Sequence, residues 1–367
     1  MSSYIHDLPG WPRMDWAHAT VAHALAEARH LQGRLLGQME GLGFTLKEDA
    51  VLRTLTEDVV TSSEIEGETL DAEQVRSSVA RRLGMDIGGL KPADRYVEGV
   101  VEMMLDATQR YDEPLTRERL FSWHAALFPT GRSGMHPITV GAWRDDRTSA
   151  MQVVSGPVGR ERVHFEAPAA ERLDAEMRQF LDWFNRDPLE PVLKAAQAHL
   201  WFVTLHPFDD GNGRIARAIA DMALARSERS PQRFYSMSAE IRAERADYYR
   251  ILEQTQRATL DVTPWIQWFL NCLTRAIEGA QETLRDVRTR SRVWEKLREV
   301  PLNDRQRLVI NRLLDGFEGK LTTSKWAALT KSSQDTALRD IQQLVDRGVL
   351  VRNSGGGRST SYALAVA

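Results

Sequence analysis

Residues His206 to Arg214 read HPFDDGNGR, and Arg217 follows three positions later. Glycines at 211 and 213 let backbone N–H groups turn inward as an anion-binding nest. GRIARAIADMALARSE, which begins at Gly213, has the period of an amphipathic helix, so a helix N-terminus faces the same spot. Nest and helix end together bind phosphate. Arg214 and Arg217 share one helix face and suit two successive phosphates of a polyphosphate. Asp210 offers a hard oxygen to Mg2+, which accompanies such ligands and binds through one or two carboxylates. His206 has the neutral pKa that suits removal of a proton from a hydroxyl. Phe208 reads as the apolar anchor of the loop. These residue types imply phosphoryl or nucleotidyl transfer from a Mg-nucleotide to a hydroxyl.

Each residue taken singly has a plainer role open to it: a helix-to-helix turn, a core histidine, a carboxylate N-cap. Other ligand motifs fail on context. GNGRIA matches the dinucleotide pattern G-x-G-x-x-A, but the helical run AAQAHLWFVTL precedes it where a strand is needed. The Walker pattern is absent, since GFEGKLT lacks its spacing. His199 and His206 stand six residues apart, which is no standard zinc spacing.

The elements that must position this loop are almost all helical. WAHATVAHALAEARHLQGRLLGQMEGL and KEDAVLRTLTEDVVTSSEIEGETL carry apolar residues at helical spacing, the second breaking at Gly67. LTRERLFSWHAALFP opens on a threonine cap. AAERLDAEMRQFLDWFNRD and PVLKAAQAHLWFVTLHPF lead into the motif, and SMSAEIRAERADYYRILEQTQR and TPWIQWFLNCLTRAIEGAQETL follow it. Residues 139–168 are the exception: MQVVS and RVHF flank the turn cluster SGPVGRE and predict a β-hairpin.

A chain of 367 residues implies two or three domains. It has no apolar run near ~18 residues, so no membrane-spanning helix is expected. The start lacks a basic region followed by an apolar one, and the single cysteine, Cys272, excludes an intramolecular disulfide. A cytoplasmic location is the expectation. The net charge of −3 conceals a basic end: residues 285–367 hold 16 Lys/Arg against 9 Asp/Glu. There a helix, a helix-turn-helix with its turn at Lys331–Ser332, and two short strands around NSGGGRST follow one another. That order predicts a winged helix, with Ser333–Arg347 as recognition helix and Arg358 in the wing. DNA binding through 290–367, in a transcriptional regulator, is the rival function.

HPFDDGNGRIAR resembles the Fic family signature H-x-F-x-[DE]-G-N-G-R-x-x-R at every defined position. The resemblance implies a protein adenylyltransferase that moves AMP from ATP to a Ser, Thr or Tyr hydroxyl of a target protein, itself included. Carried over, His206 is the general base and Asp210 the Mg2+ ligand. Gly211, Asn212 and Gly213 line the anion hole, and Arg214 and Arg217 hold the β- and γ-phosphates. Tyr248 and Tyr249 lie where the family lines its adenine pocket. The hairpin, with Gln152, Val153, Val154, His164 and Phe165, resembles the flap that docks an extended target by strand addition.

SSEIEG, Ser62 to Gly67, resembles the inhibitory motif of the same family, [ST]-x-x-x-E-[GN]. The implied brake is Glu66, presented by a helix and paired with Arg217, which keeps that arginine from a γ-phosphate. Release follows either from a shift of Glu66 out of the site or from a second role, positioning water for removal of AMP. Members with this layout are often dimeric. The expected fold is mainly α: an N-terminal helical domain over 1–85, a Fic core with a hairpin flap over 86–285, and a winged-helix domain over 286–367.

Overall fold

The structure, a computed structural model, describes residues 4–41, 44–85, 91–145, 150–156, 160, 162–314, 317, 319–353 and 360–365. Two compact units divide it, Met1–Ala280 and Gln281–Ala367. In the first, helices α1 (His18–Glu40), α2 (Phe44–Ile65), α3 (Ala72–Arg82), α4 (Arg95–Gln109) and α5 (Arg117–Leu127) come before any strand. Local chemistry sets their starts. Asp71 caps α3 by accepting from the backbone N–H groups of Glu73 and Gln74, Asp94 caps α4 through Val97 N–H, and Thr116 caps α5 through Arg119 N–H.

Two antiparallel pairs follow: β1 (Arg132–Ser133) with β2 (His136–Pro137), and β3 (Gln152–Ser155) with β4 (Arg162–Glu166). The second pair is the hairpin read from the sequence. Its register runs Gln152 opposite Glu166 and Val153 opposite Phe165, then slips by a bulge to Val154 opposite Val163. The turn of that hairpin, from 157 to 159 and at 161, lies outside the described residues. The first pair carries no alternating pattern in the sequence, being two residues per strand.

Helices α6 (Ala170–Arg186), α7 (Pro191–Leu205), α8 (Asn212–Glu228), α9 (Met237–Ala243), α10 (Arg245–Gln256) and α11 (Thr263–Lys296) complete the order. α7 is buried on every side from Val192 to Leu205, and α8 is buried over most of its length. An all-apolar helix belongs at the centre of a domain, and these two pack along one another with the motif loop between them. α8 also lies against α2, α4, α5 and α9. The first 85 residues therefore share the core of the first unit: α2 packs on α4, α8 and α9, and Trp11 Nε1 donates to Glu176 on α6 at 2.9 Å. The border between the two units falls within α11 at 280/281, a few residues before the charge change that marked it in the sequence.

The second unit contains α12 (Asp304–Leu314), α13 (Thr323–Thr330), α14 (Gln334–Asp346) and the antiparallel pair β5 (Leu350–Arg352) and β6 (Tyr362–Leu364). Its core gathers Val309, Ile310, Trp326, Ile341 and Leu344. Lys331 adopts a left-handed conformation at the end of α13, and Ser333 caps α14 through Thr336 N–H. Arg358 and most of the loop between β5 and β6 lie outside the described residues.

One close approach holds the support of the motif loop in place. A Cβ added at Gly99 of α4 would lie 1.8 Å from the carbonyl oxygen of Ala126 on α5. The two helices can touch there only because the side chain is absent. Gly99→Ala is expected to destabilise the body by about 1–3 kcal/mol through overpacking, although alanine is the better helix former by ~1 kcal/mol. Urea unfolding checks this; an unchanged or raised midpoint contradicts it.

Candidate active site

The motif loop begins where α7 ends. His206 caps that helix in the left-handed region, at φ 47° and ψ 56°, a conformation that disfavours a residue with a Cβ. Arg144 holds it there. Its Nε donates to the His206 carbonyl at 2.7 Å, its Nη2 to the Pro168 carbonyl at 2.5 Å, and its own N–H to the Pro207 carbonyl at 3.0 Å. The imidazole Nδ1 lies 3.2 Å from the Val203 carbonyl, which can only accept, so Nδ1 carries the proton and Nε2 keeps its lone pair. Burial, opposed by that hydrogen bond, pushes the His206 pKa below the ordinary 6.5. The imidazole is therefore neutral at pH 7, with Nε2 as its basic atom.

Phe208 is the expected anchor. It is fully buried, stacked on His124 with ring centres 4.2 Å apart and 7° between planes, and tilted against Trp143 at 5.2 Å. His124 stays neutral for this stack because burial pushes its pKa down to about 4. The two carboxylates that follow divide their work. Asp209 accepts from Thr139 N–H at 2.8 Å and ties the loop to the chain before the flap. Asp210 stays 42% exposed, accepting from the Ser133 hydroxyl and from Gly211 N–H.

Asn212 turns its side chain onto the main chain of the loop. Oδ1 accepts from Phe208 N–H at 3.0 Å and Nδ2 donates to the Phe208 carbonyl at 2.8 Å, so the amide closes the loop on itself. The two glycines around it are required for different reasons. Gly211 has φ +80°, and a Cβ there would also meet Phe128 Cε2 at 2.9 Å. At Gly213 the obstacle is an anion: a Cβ would lie 2.1 Å from Glu66 Oε1 and 3.2 Å from Arg217 Nη1. The first turn of α8 is thus open to an oxyanion, and in this structure a carboxylate sits there.

That carboxylate belongs to the end of α2. Arg217, 2% exposed, donates from Nη2 to Glu66 Oε1 at 2.8 Å, from Nε to Ser62 Oγ at 2.9 Å and from Nη2 to the Ser62 carbonyl at 2.8 Å. Sequence reasoning paired Glu66 with Arg217 but missed the partners of Arg214. The Arg214 guanidinium, 1% exposed, donates from Nη1 to Glu68 Oε2 at 2.6 Å and to the Tyr96 hydroxyl, and lies over the Phe128 ring at 5.2 Å. Arg217 Nη1 and Arg214 Nε are buried donors with no partner among the described residues. Two unsatisfied guanidinium N–H groups beside an open helix N-terminus fit the oxygens of a polyphosphate.

The two tyrosines separate. Tyr248 is a core residue, 2% exposed, with its hydroxyl 2.9 Å from His199 Nε2 and its ring among Trp265 and Trp268. Tyr249 is 39% exposed and donates to the Ile65 carbonyl at the end of α2. In the β3–β4 hairpin, Phe165 and His164 face inward: Phe165 packs edge-on against Tyr4, and His164 Nδ1 lies 2.7 Å from Glu253 on α10. Arg257 donates to the carbonyls of Val163 and His164, so β4 is the strand fixed to the body. On β3, Gln152 bonds Glu166 and Val154 is exposed.

Among the described residues no group of three or more His, Cys, Asp or Glu side chains forms a metal cage. Mg2+ needs none when substrate phosphates supply most of its ligands. Asp210, exposed beside the nest and the two arginines, fits that mode of binding.

Fold and site together describe a helical protein with a carboxylate seated beside a helix N-terminus and a neutral histidine leading into the same loop. Residues 114–224 match the Fic/DOC family, and residues 4–85 match a domain of unknown function, DUF4172. The chain carries a Fic/DOC-family domain. Over 244 residues it is 28% identical to a protein adenylyltransferase Fic of Nematostella vectensis, covering 63% of this chain and 49% of the relative. Over 121 residues it is 33% identical to a uridine 5'-monophosphate transferase of Xanthomonas campestris, covering 31% of this chain and 21% of the relative. The chain thus spans about half the length, or less, of these curated relatives. A crystal structure of a Fic family protein from Desulfovibrio desulfuricans G20 shares the fold, with a TM-score of 0.54 at 21% identity, over 96% of this chain and 98% of that one.

The state of His206 can be read directly. Its imidazole is expected to titrate below pH 6.5 in NMR spectra of the folded protein, because burial disfavours the charged ring. A midpoint at or above 6.5 contradicts the neutral base.

Proposed function

We propose that this chain transfers AMP from ATP to a hydroxyl of a protein, and that Glu66 restrains the reaction. The observation that carries the reading is the carboxylate of Glu66 seated over Gly213 and bonded to Arg217, at the place where α8 offers its N-terminus to an anion. A buried arginine that holds the chain's own carboxylate beside the first turn of a helix suits a phosphate oxygen.

In the proposed reaction His206 Nε2 takes the proton of the target hydroxyl as its oxygen attacks the α-phosphorus of ATP. The bond from that phosphorus to the bridging β-phosphate oxygen breaks, and pyrophosphate leaves. Arg214, Arg217 and the N–H groups around Gly213 hold the charge of the leaving phosphates. Asp210 would hold Mg2+, which supplies charge neutralisation on the phosphate oxygens. Arg144 and Asn212 contribute by fixing the loop, and Phe208 by anchoring it. The outward strand β3 of the hairpin is the edge that suits an extended target segment. With Glu66 on Arg217, a γ-phosphate cannot take that guanidinium, and the bound nucleotide is kept from in-line attack.

Adenine is the base assigned because relatives named protein adenylyltransferase Fic align over 58–63% of the chain, whereas the uridine 5'-monophosphate transferase aligns over 31%. The second unit supports a winged helix by its order of three helices and an antiparallel pair, with Leu321 bridging to Tyr362. Its basic surplus makes it a candidate DNA partner module alongside the enzyme.

Intact-protein mass after incubation with ATP and Mg2+ tests the reading. Glu66→Gly is expected to gain one adenylyl group, wild type far less, and Glu66→Gly with His206→Ala none. A gain that survives His206→Ala contradicts the assigned base. A gain from UTP in place of ATP transfers the assignment to uridine.

A further inference from the structure

Glu68 has no place in the inhibitory motif, yet the structure treats it as the counterpart of Glu66. The end of α2 explains how. Gly67, at φ +85°, donates to the Glu64 carbonyl at 3.0 Å, and Glu68 N–H donates to the Ser63 carbonyl at 3.1 Å. This is the paired 6→1 and 5→2 bonding of a Schellman cap, with the left-handed glycine between the two acids. The cap turns the chain sharply between Glu66 and Glu68. As a result Glu66 Oε1 reaches Arg217 at 2.8 Å and Glu68 Oε2 reaches Arg214 at 2.6 Å. Two carboxylates two residues apart thereby meet two arginines three residues apart on one face of α8.

We propose that Glu68 is a second inhibitory residue, which holds Arg214 against nucleotide phosphate as Glu66 holds Arg217, so that one helix cap closes both arginines together. The inference rests on the reading of this site as a nucleotide site. Arg214 has contacts besides Glu68. The Arg214 Nη1 group is shared with the Tyr96 hydroxyl, the guanidinium lies over Phe128, and Nε has no partner among the described residues. Glu68 is the carboxylate closest to the guanidinium in the described structure; Asp210 stands 3.9 Å from Nη2. A phosphate approaching Arg214 must replace that charge. The Glu68 side chain is 38% exposed while Arg214 is almost wholly buried. The carboxylate, not the guanidinium, is therefore the partner free to swing away when nucleotide binds.

The test is calorimetric binding of ATP with Mg2+ to wild type, Glu66→Gly, Glu68→Gln, Glu68→Asp and the Glu66→Gly, Glu68→Gln double variant. Glu68→Gln keeps the side-chain shape and removes the charge. It is expected to tighten ATP binding several-fold, up to the order of tenfold expected of a charge-assisted pair. The double variant should bind tighter than Glu66→Gly, and Glu68→Asp should stay near wild type. Unchanged or weaker binding in Glu68→Gln, with Glu66→Gly tightened, overturns the proposal and leaves Glu68 as a structural support for Arg214. Tighter binding in Glu68→Gln without any adenylyl transfer by Glu66→Gly upholds the second brake while refuting the proposed reaction. Absence of ATP binding in all five overturns both.

Discussion

The ion pair between Glu66 and Arg217 is the contact on which the rest of the site turns. It joins the end of α2 to the first turn of α8, where the backbone N–H groups of a helix lack partners within the helix. Arg217 is almost fully buried, and an uncompensated guanidinium at that depth is costly. The carboxylate supplies the compensation that a phosphate would otherwise give. Under the proposed function the same physical need, a negative charge beside a helix N-terminus flanked by buried arginines, serves both stability in the resting state and recognition of nucleotide, and the competition of carboxylate with phosphate for one seat is the proposed basis of regulation.

The surrounding fold is arranged to keep the seat fixed. α7 and α8 form the buried centre, and the loop between them is held from within by Asn212 on the Phe208 main chain and from without by Arg144 on the His206 carbonyl. Phe208 is clamped by His124 of α5, whose helix is in turn pressed onto α4 at Gly99. The first 85 residues contribute through α2, which belongs to the same packed body and delivers both acids to the arginines. The β3–β4 hairpin is likewise fixed on one strand, through Glu253 of α10 and Arg257 at its end, which leaves β3 as its exposed strand.

Helical periodicity, threonine and aspartate caps and the hairpin at 152–166 were legible in the sequence because each is a local pattern. So were the residues of the motif loop, since one short segment carries them. The partners that fix them were not. Arg144, His124, Ser133 and Tyr96 come from separate segments and share no spacing with the loop. The signature singles out Asp210, but the role of Asp209, which accepts from Thr139 N–H, comes only from packing. The clasp that the Asn212 amide makes on the Phe208 main chain likewise carries no signal in the sequence. Tyr248 and Tyr249 are neighbours in sequence but fall on the core and surface sides of α10. Glu68 is the clearest case: its role depends on a glycine cap that reverses the chain, and no one-dimensional pattern distinguishes it from a solvated acid.

The most direct test of the account is a crystal structure of the Glu66→Gly protein with ATP and Mg2+. The account predicts phosphate oxygens within hydrogen-bond distance of Arg217 and of the N–H groups around Gly213, in the space that Glu66 fills in the wild type. Phosphates bound away from that nest, with Arg217 untouched, would contradict it.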